Sequence, residues 1–140
     1  MPQSCVLIFS LVGLLAGAPL LRASGATTTH YSIPAQAREA DDYFLGRQNL
    51  SNVRRGIDLL RDAIGRDASD YESWWRLARF YNFWARRASD SEKIKLLRQA
   101  VECGKRAVAL QPNRVEGHFW LGASYGLLAE ETNLIEGLRL

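Results

Sequence analysis

Cysteine, histidine and proline are scarce in this 140-residue chain, which has 2 Cys, 2 His and 4 Pro. Two cysteines, Cys5 and Cys103, cannot build a disulfide framework or a cysteine cage for a metal, and two histidines leave too few ligands for a zinc site. The sequence also lacks a phosphate-binding loop, a GxSxG elbow and a HExxH motif. It therefore predicts no catalytic residues, no metal, no cofactor and no enzymatic activity.

The sequence also has no large excess of positive or of negative charge. Lys and Arg total 18 and Asp and Glu total 15, which gives a net charge of +3. The basic residues are spread along the chain instead of gathered in one run, so the balance does not indicate a nucleic-acid partner. Hydrophobic residues make up 47% of the chain, enough for one folded domain at this length.

The longest apolar run lies near the N-terminus, at residues 5–21 (CVLIFSLVGLLAGAPLL), and is short for a membrane span. It is typical of a signal-peptide core, and Ser24, Gly25 and Ala26 supply the small residues of a cleavage site. We therefore expect residues 1–26 to be a signal peptide, residues 27–34 to be a linker, and the mature protein to be periplasmic or secreted. Because the first four residues carry no Lys or Arg, an uncleaved membrane anchor is the alternative.

From residue 35 onward the pattern is helical. Pro112 is the only proline there, and no stretch alternates apolar and polar residues as a strand does. Helix starts are indicated at Ser69, Ser89 and Asn113, each followed three positions later by Glu. The predicted fold class is all-α, with short links that make successive helices antiparallel. The predicted helices are Ala35–Arg47, Asn52–Arg66, Asp70–Ala88, Ser91–Leu110, Arg114–Leu128 and Thr132–Leu140.

One pattern of large and small side chains occurs twice. It consists of Trp74, Leu77, Ala78 and Tyr81 on one predicted helix and of His118, Leu121, Gly122 and Tyr125 on a later one. Between them, Ala100 and Ala107 are small residues where two helices can touch, and Pro112 ends a helix. We expect these residues to pack the repeats together. The pattern resembles the tetratricopeptide repeat (TPR), which implies antiparallel helix pairs stacked as a short TPR-like solenoid over residues 35–140, with about two and a half pairs and the last cut short.

A more specific resemblance comes from the repeat length, which exceeds the roughly 34 residues of a tetratricopeptide repeat. This length, the stretch WWRLARFY and the segments Gly117–Gly122 and Leu134–Leu140 are similar to the T-component family associated with TRAP transporters. That resemblance implies an exported, non-enzymatic scaffold that binds a partner protein, such as a periplasmic solute-binding component. One alternative is a small-molecule binding protein that takes an anionic or apolar ligand and assists transport. Another is a mitochondrial or cytosolic TPR-like adaptor, since animal regulators of microtubule dynamics share similar long helix pairs.

The resemblance also implies a concave groove, lined by fixed positions on the first helix of each pair. The groove candidates are Glu72, Trp75, Arg79, Asn82, Phe83, Glu116 and Phe119. Trp75, Phe119 and Arg79 would form an aromatic and cationic surface suited to a partner peptide, a partner helix or an anionic apolar ligand. The alternative interpretation is that a terminal helix covers these side chains as ordinary core.

Four arginines close to this groove partly share a helix face: Arg76, Arg79, Arg86 and Arg87. Surface charges are the default on amphipathic helices, so we interpret this face as solvated and paired with nearby acids. Binding of phosphate or carboxylate is the alternative.

The C-terminal segment from Leu134 to Leu140 contains four apolar residues on a predicted helix that is short for its place in the repeat. An apolar, uncapped end of a helix stack favours self-association. We therefore expect either a homo-oligomer formed through this end or a sequence whose relatives continue further.

Overall fold

The computed structural model describes the backbone of residues 32–137 and the side chains of residues 32–132. Its regular structure is helical throughout this range, which confirms the predicted all-α class. The helices are α1 (Ala35–Leu45), α2 (Leu50–Arg66), α3 (Tyr71–Ala85), α4 (Asp90–Leu110) and α5 (Val115–Gly137). The predicted signal peptide and residues 27–31 of the predicted linker lie outside the described residues. No described helix is both long enough and apolar enough to cross a lipid bilayer.

The start of α3 shows how capping differs from the prediction. The carboxylate of Asp70 accepts the backbone N–H of Ser73 at 3.2 Å, whereas the hydroxyl of Ser69, the predicted cap, bonds Asp67 at 2.6 Å. A charged acceptor makes the stronger bond to an unpaired N–H, so the helix begins one residue later than predicted. Ser89 is the N-cap residue of α4, but its side chain makes no capping bond.

Neighbouring helices along the chain run antiparallel, as the approach of α4 to α5 shows. Gly104 lies against Leu121, and Gly117, four residues earlier on α5, lies against Ala107, later on α4. The two helices approach closely because each contact involves a glycine or an alanine. Short links between all five helices produce the same alternation along the chain.

Helices α1, α3 and α5 form one side of the stack and run parallel to one another. The side chain of Asn82 in α3 donates to Ser124 in α5 at 2.9 Å, and the N–H of Gly117 at the start of α5 donates to the Tyr71 hydroxyl at the start of α3. On the other side, α2 and α4 both pack on α3, but within the described residues their backbones do not adjoin each other. We call the side formed by α1, α3 and α5, where each helix contacts the next, the closed side. The side on which α2 and α4 are separated is called the open side.

The C-terminal helix pair expected from the repeat is not formed, because α5 runs unbroken from Val115 to Gly137. The predicted break at residues 129–131 (AEE) contains good helix formers and neither proline nor glycine. Thr132, the expected start of a new helix, instead donates its hydroxyl to the carbonyls of Leu128 and Ala129 one turn back. The prediction of a separate helix from Thr132 is therefore wrong. The side chains proposed for self-association lie beyond residue 132, outside the described side chains.

The predicted packing residues differ between the two copies of the pattern. In the first copy and in α4 nearly all are buried, with Trp74 half-buried: Leu77, Ala78, Tyr81, Ala100 and Ala107. In the second copy Leu121 packs against Gly104, but Gly122 is exposed and Tyr125 is 47% exposed. The prediction that Gly122 and Tyr125 pack between helices is wrong, because no described helix follows α5 to cover the face that α4 covers on α3.

Gly104 gives a stability prediction with a matched control. A Cβ at this position would lie 2.9 Å from the Leu121 Cα, which is backbone and cannot turn away, so Gly104→Ala must push α5 off α4. Nothing lies within 4 Å of a Cβ at Gly122. We expect Gly104→Ala to lower the free energy of unfolding by about 1–3 kcal/mol, and Gly122→Ala to raise it by roughly 0.5–1 kcal/mol through helix propensity. Urea titration followed by circular dichroism measures both, and a gain at Gly104 would contradict the close contact.

Candidate functional site

Three of the groove candidates are buried on the closed side of the stack. Glu72, Trp75 and Asn82 are 2%, 8% and 2% exposed. Asn82 bonds Ser124, and the indole N–H of Trp75 donates to the Glu72 carboxylate at 3.0 Å. These three side chains are therefore covered by neighbouring helices, as the alternative interpretation of the groove candidates as core residues describes.

The remaining candidates do not form one surface. Arg79 is largely buried against the ring of Phe44 at 4.0 Å, and Phe83 is half-buried beneath Arg87. Phe119 is 61% exposed and packs its ring against Trp120 with centroids 5.0 Å apart. Among the described residues no ring contact joins Trp75 to Phe119. The expected stacked aromatic surface is therefore not assembled in this structure.

The buried polar side chains of the closed side form a network of ion pairs. The guanidinium of Arg76 pairs with Asp41 of α1 at 2.8 Å and with Glu72 one turn earlier on α3. Arg79 reaches the other oxygen of Asp41 at 2.5 Å. Burial raises the pKa of Asp41, but the hydrogen bonds from Arg76 and Arg79 outweigh it and hold this pKa below its ordinary value. The interpretation of Arg76 as part of a solvated face is wrong, since its side chain is 3% exposed.

The network continues to α5 through Arg114. Its guanidinium lies 3.2 Å from Glu72 and 2.9 Å from Glu116, which also accepts the Tyr71 hydroxyl at 3.1 Å. Glu72 and Glu116, which follow the predicted helix starts at Ser69 and Asn113, therefore join α3 to the start of α5. The bonds from Arg114 lower the pKa of Glu116 to about 2. Ion pairs and hydrogen bonds therefore join α1 to α3 and α3 to α5 on this side of the molecule.

These carboxylates predict a loss of stability in acid. The pKa of Glu116 is about 2 in the folded chain and 4.5 ordinarily, so its contribution is complete above pH 4.5 and is lost as the pH falls toward 2. Asp41, with its lowered pKa, acts in the same direction. We expect the urea midpoint to fall from pH 5 to pH 3, and Glu116→Gln to reduce this dependence. A variant with the same pH dependence as the wild type would contradict the role of Glu116.

The open side carries a groove of about 1030 Å³ between α2, α3 and α4. Its floor is an apolar stripe on α3 formed by Trp74, Leu77 and Tyr81, which are spaced three and four residues apart and therefore share one helix face. Ile64 of α2 and Ile94 of α4 continue the apolar surface up the two walls. Trp74, Leu77 and Tyr81 are the residues that the sequence analysis assigned to packing between helices. The same stripe therefore packs α3 against its neighbours and forms the floor of the groove.

The rim of the groove is cationic. Arg61 on α2 and Lys95 and Arg98 on α4 line it, and none of the three has an ion pair or a hydrogen bond within the part of the chain that the structure describes. The two acids of the lining are already paired on their own helix. Asp90 lies 3.6 Å from Lys93, and Glu102 lies 2.8 Å from Lys105. Among the residues that line the groove, the charges without an ion-pair partner are therefore positive.

Cys103 lies at the base of this groove and is 6% exposed. Burial raises the pKa of its thiol to about 12, so the reactive thiolate is scarce near neutral pH. The side chains described also bring together no group of three His, Cys, Asp or Glu residues that could hold a metal. The chemistry available in the groove is apolar burial and attraction of negative charge.

The sequence of residues 36–138 matches the model of a protein family, described as regulator of microtubule dynamics protein 1-3. No curated protein matches the chain. The family match contradicts the predicted identity as a TRAP-transporter T-component, and with it the predicted periplasmic or secreted location. The all-helical fold with neighbouring helices packed against each other was correctly predicted, but a fold class does not by itself identify a family.

Proposed function

Because the chain belongs to the regulator of microtubule dynamics protein 1-3 family, we propose that it is a non-enzymatic helical adaptor that influences microtubule dynamics by binding a partner protein. The family supports the alternative that sequence analysis left open, a cytosolic or mitochondrial adaptor. The binding surface in this proposal is the groove between α2, α3 and α4.

The observation that carries the proposal is the difference between the two sides of the stack. Along α1, α3 and α5 the polar groups bond one another, and the ion pairs of Arg76 and Arg114 include the buried carboxylate of Glu72. Between α2 and α4 the groove leaves Trp74, Ile64 and Ile94 partly exposed, and its rim cations have no ion-pair partner among the described residues. Contiguous apolar surface bordered by polar groups is typical of a protein-binding site.

The proposal is tested by restoring the protein to cells depleted of it and measuring the growth rate and catastrophe frequency of microtubules. Ile94→Glu places a charge on the apolar groove wall, and Leu45→Glu places the same charge on α1, where Leu45 is 76% exposed and outside the groove. We expect the wild type and Leu45→Glu to restore the dynamics and Ile94→Glu to fail while keeping its helical circular dichroism. Full restoration by Ile94→Glu, or no effect of the wild type, would overturn the proposal.

A further inference from the structure

The groove lies between α2 and α4, along one face of α3. Helix α3 packs against both α2 and α4, while the backbones of α2 and α4 do not adjoin each other within the described range. Packed helices in proteins lie about 8–10 Å apart, so a fourth helix laid over α3 would contact α2 and α4 at once. The volume of about 1030 Å³ is at the upper end of small-molecule pockets, which suits a larger occupant.

The apolar floor is itself helical in period. Trp74, Leu77 and Tyr81 lie along one face of α3 and extend over about 10 Å at the rise of an α-helix. Leu77 and Tyr81 are only 3% and 6% exposed, so the accessible apolar surface is the half-buried ring of Trp74 together with Ile64 and Ile94 on the two walls. An amphipathic helix docks in a groove of this kind with the apolar residues of one face.

The rim charges lie on both sides of this stripe. Arg61 stands on the α2 side, and Lys95 and Arg98 stand one turn apart on the α4 side. The three cations are therefore spread along and across the groove instead of converging on a single point. An occupant that complements them must be apolar along its centre and carry carboxylates on both flanks.

We propose that this groove binds an acidic amphipathic α-helix of a partner protein, with its apolar face on Trp74, Ile64 and Ile94 and its carboxylates paired with Arg61, Lys95 and Arg98. The inference rests on the proposed function and specifies the chemistry of the partner. The apolar segment of this chain at residues 5–21 carries no carboxylate, so it does not supply side chains that pair with the cations of the rim.

The test uses the full chain and fluorescein-labelled helical peptides of about 18 residues, and measures binding by fluorescence anisotropy. The first peptide has a leucine stripe flanked by Glu. The second has the same stripe flanked by Lys, and the third has the composition of the first in an order that breaks the stripe. We expect the first peptide to bind and the other two to bind at least about tenfold more weakly, because one loses charge complementarity and the other loses the apolar face.

Variants of the chain locate the site. Reversal of both α4 cations in Lys95→Glu/Arg98→Glu should weaken binding of the first peptide by about tenfold or more, and Arg61→Glu should weaken it in the same direction. Arg55→Glu makes the same charge change on α2 outside the groove lining and should leave the affinity unchanged. Equal losses in Arg55→Glu and Arg61→Glu would show only an effect of net charge and would overturn the inference.

The remaining outcomes separate this inference from the proposed function. If the chain binds vesicles of phosphatidylserine but not the first peptide, and Lys95→Glu/Arg98→Glu abolishes vesicle binding, the occupant is a lipid surface and the inference is wrong. If no peptide binds, yet Ile94→Glu fails to restore microtubule dynamics in cells, the acidic helix is wrong and the adaptor function stands. If the first peptide binds as described and Ile94→Glu restores the dynamics fully, the binding chemistry stands and the proposed function fails.

Discussion

Replacing Arg76 with methionine should lower the free energy of unfolding by about 3–5 kcal/mol, the range measured when one partner of a buried ion pair is removed. The Arg76 side chain is 3% exposed and neutralises Glu72, whose side chain is 2% exposed. Methionine fills similar space but leaves that carboxylate with less compensating charge, and it removes the bond from α3 to Asp41 in α1. Urea unfolding followed by circular dichroism at pH 7 measures the loss.

Arg86→Met is the matched control, because Arg86 is exposed near the end of α3 and its replacement should change stability by less than about 0.5 kcal/mol. Glu72→Gln in the Arg76→Met background should recover part of the loss, since the buried negative charge is then removed. Equal, small effects of Arg76→Met and Arg86→Met would show that the network does not hold α1 against α3.

Replacing Phe80 with alanine should cost about 3–5 kcal/mol of stability, as for other large side chains deleted from a core. Phe80 is 0% exposed, packs its ring against Phe44 of α1 with centroids 5.1 Å apart, and fills the space left by Gly56 of α2. It therefore joins three helices at one point. The same urea titration measures the effect.

Phe119→Ala is the control for this prediction, because the same side chain is removed from a position that is 61% exposed. We expect a change within about 0.5 kcal/mol there. If both variants lost the same stability, α5 would be packed against a further surface that covers Phe119, and the exposed face described for α5 would be wrong.

Much of the helical architecture could be predicted from local patterns. Apolar spacing, the single Pro112 and the absence of strand-like alternation were sufficient to place α1 to α4 within a few residues, because these signals act within one or two turns. The continuity of α5 was missed because the expected repeat suggested a break that the residues at 129–131 do not encode. The helix propensity of residues 129–131 keeps α5 continuous.

The candidate site was harder to predict, since it depends on which face of α3 each neighbour covers. The pairing of Arg76 with Asp41 joins residues 35 positions apart, and no local pattern distinguishes an arginine in such a pair from one in water. The groove was missed for a related reason: Trp74, Leu77 and Tyr81 have the spacing of core residues, and no local pattern shows that Trp74 stays half-buried in a groove between α2 and α4. The combination of this stripe with Lys95 and Arg98 on the next helix was the available signal.

Hydroxyl-radical footprinting of the full chain, read by tandem mass spectrometry at two adjacent tryptophans, tests most directly the claim that the binding surface lies between α2 and α4. Trp74 is half-buried in the groove and Trp75 is 8% exposed on the closed side, so residue type does not affect the comparison. We expect Trp74 to be oxidised much faster than Trp75, and an acidic amphipathic helix to slow Trp74 while leaving Phe119 unchanged. Oxidation of Trp75 as fast as Trp74, or protection of Phe119 without protection of Trp74, would contradict the account.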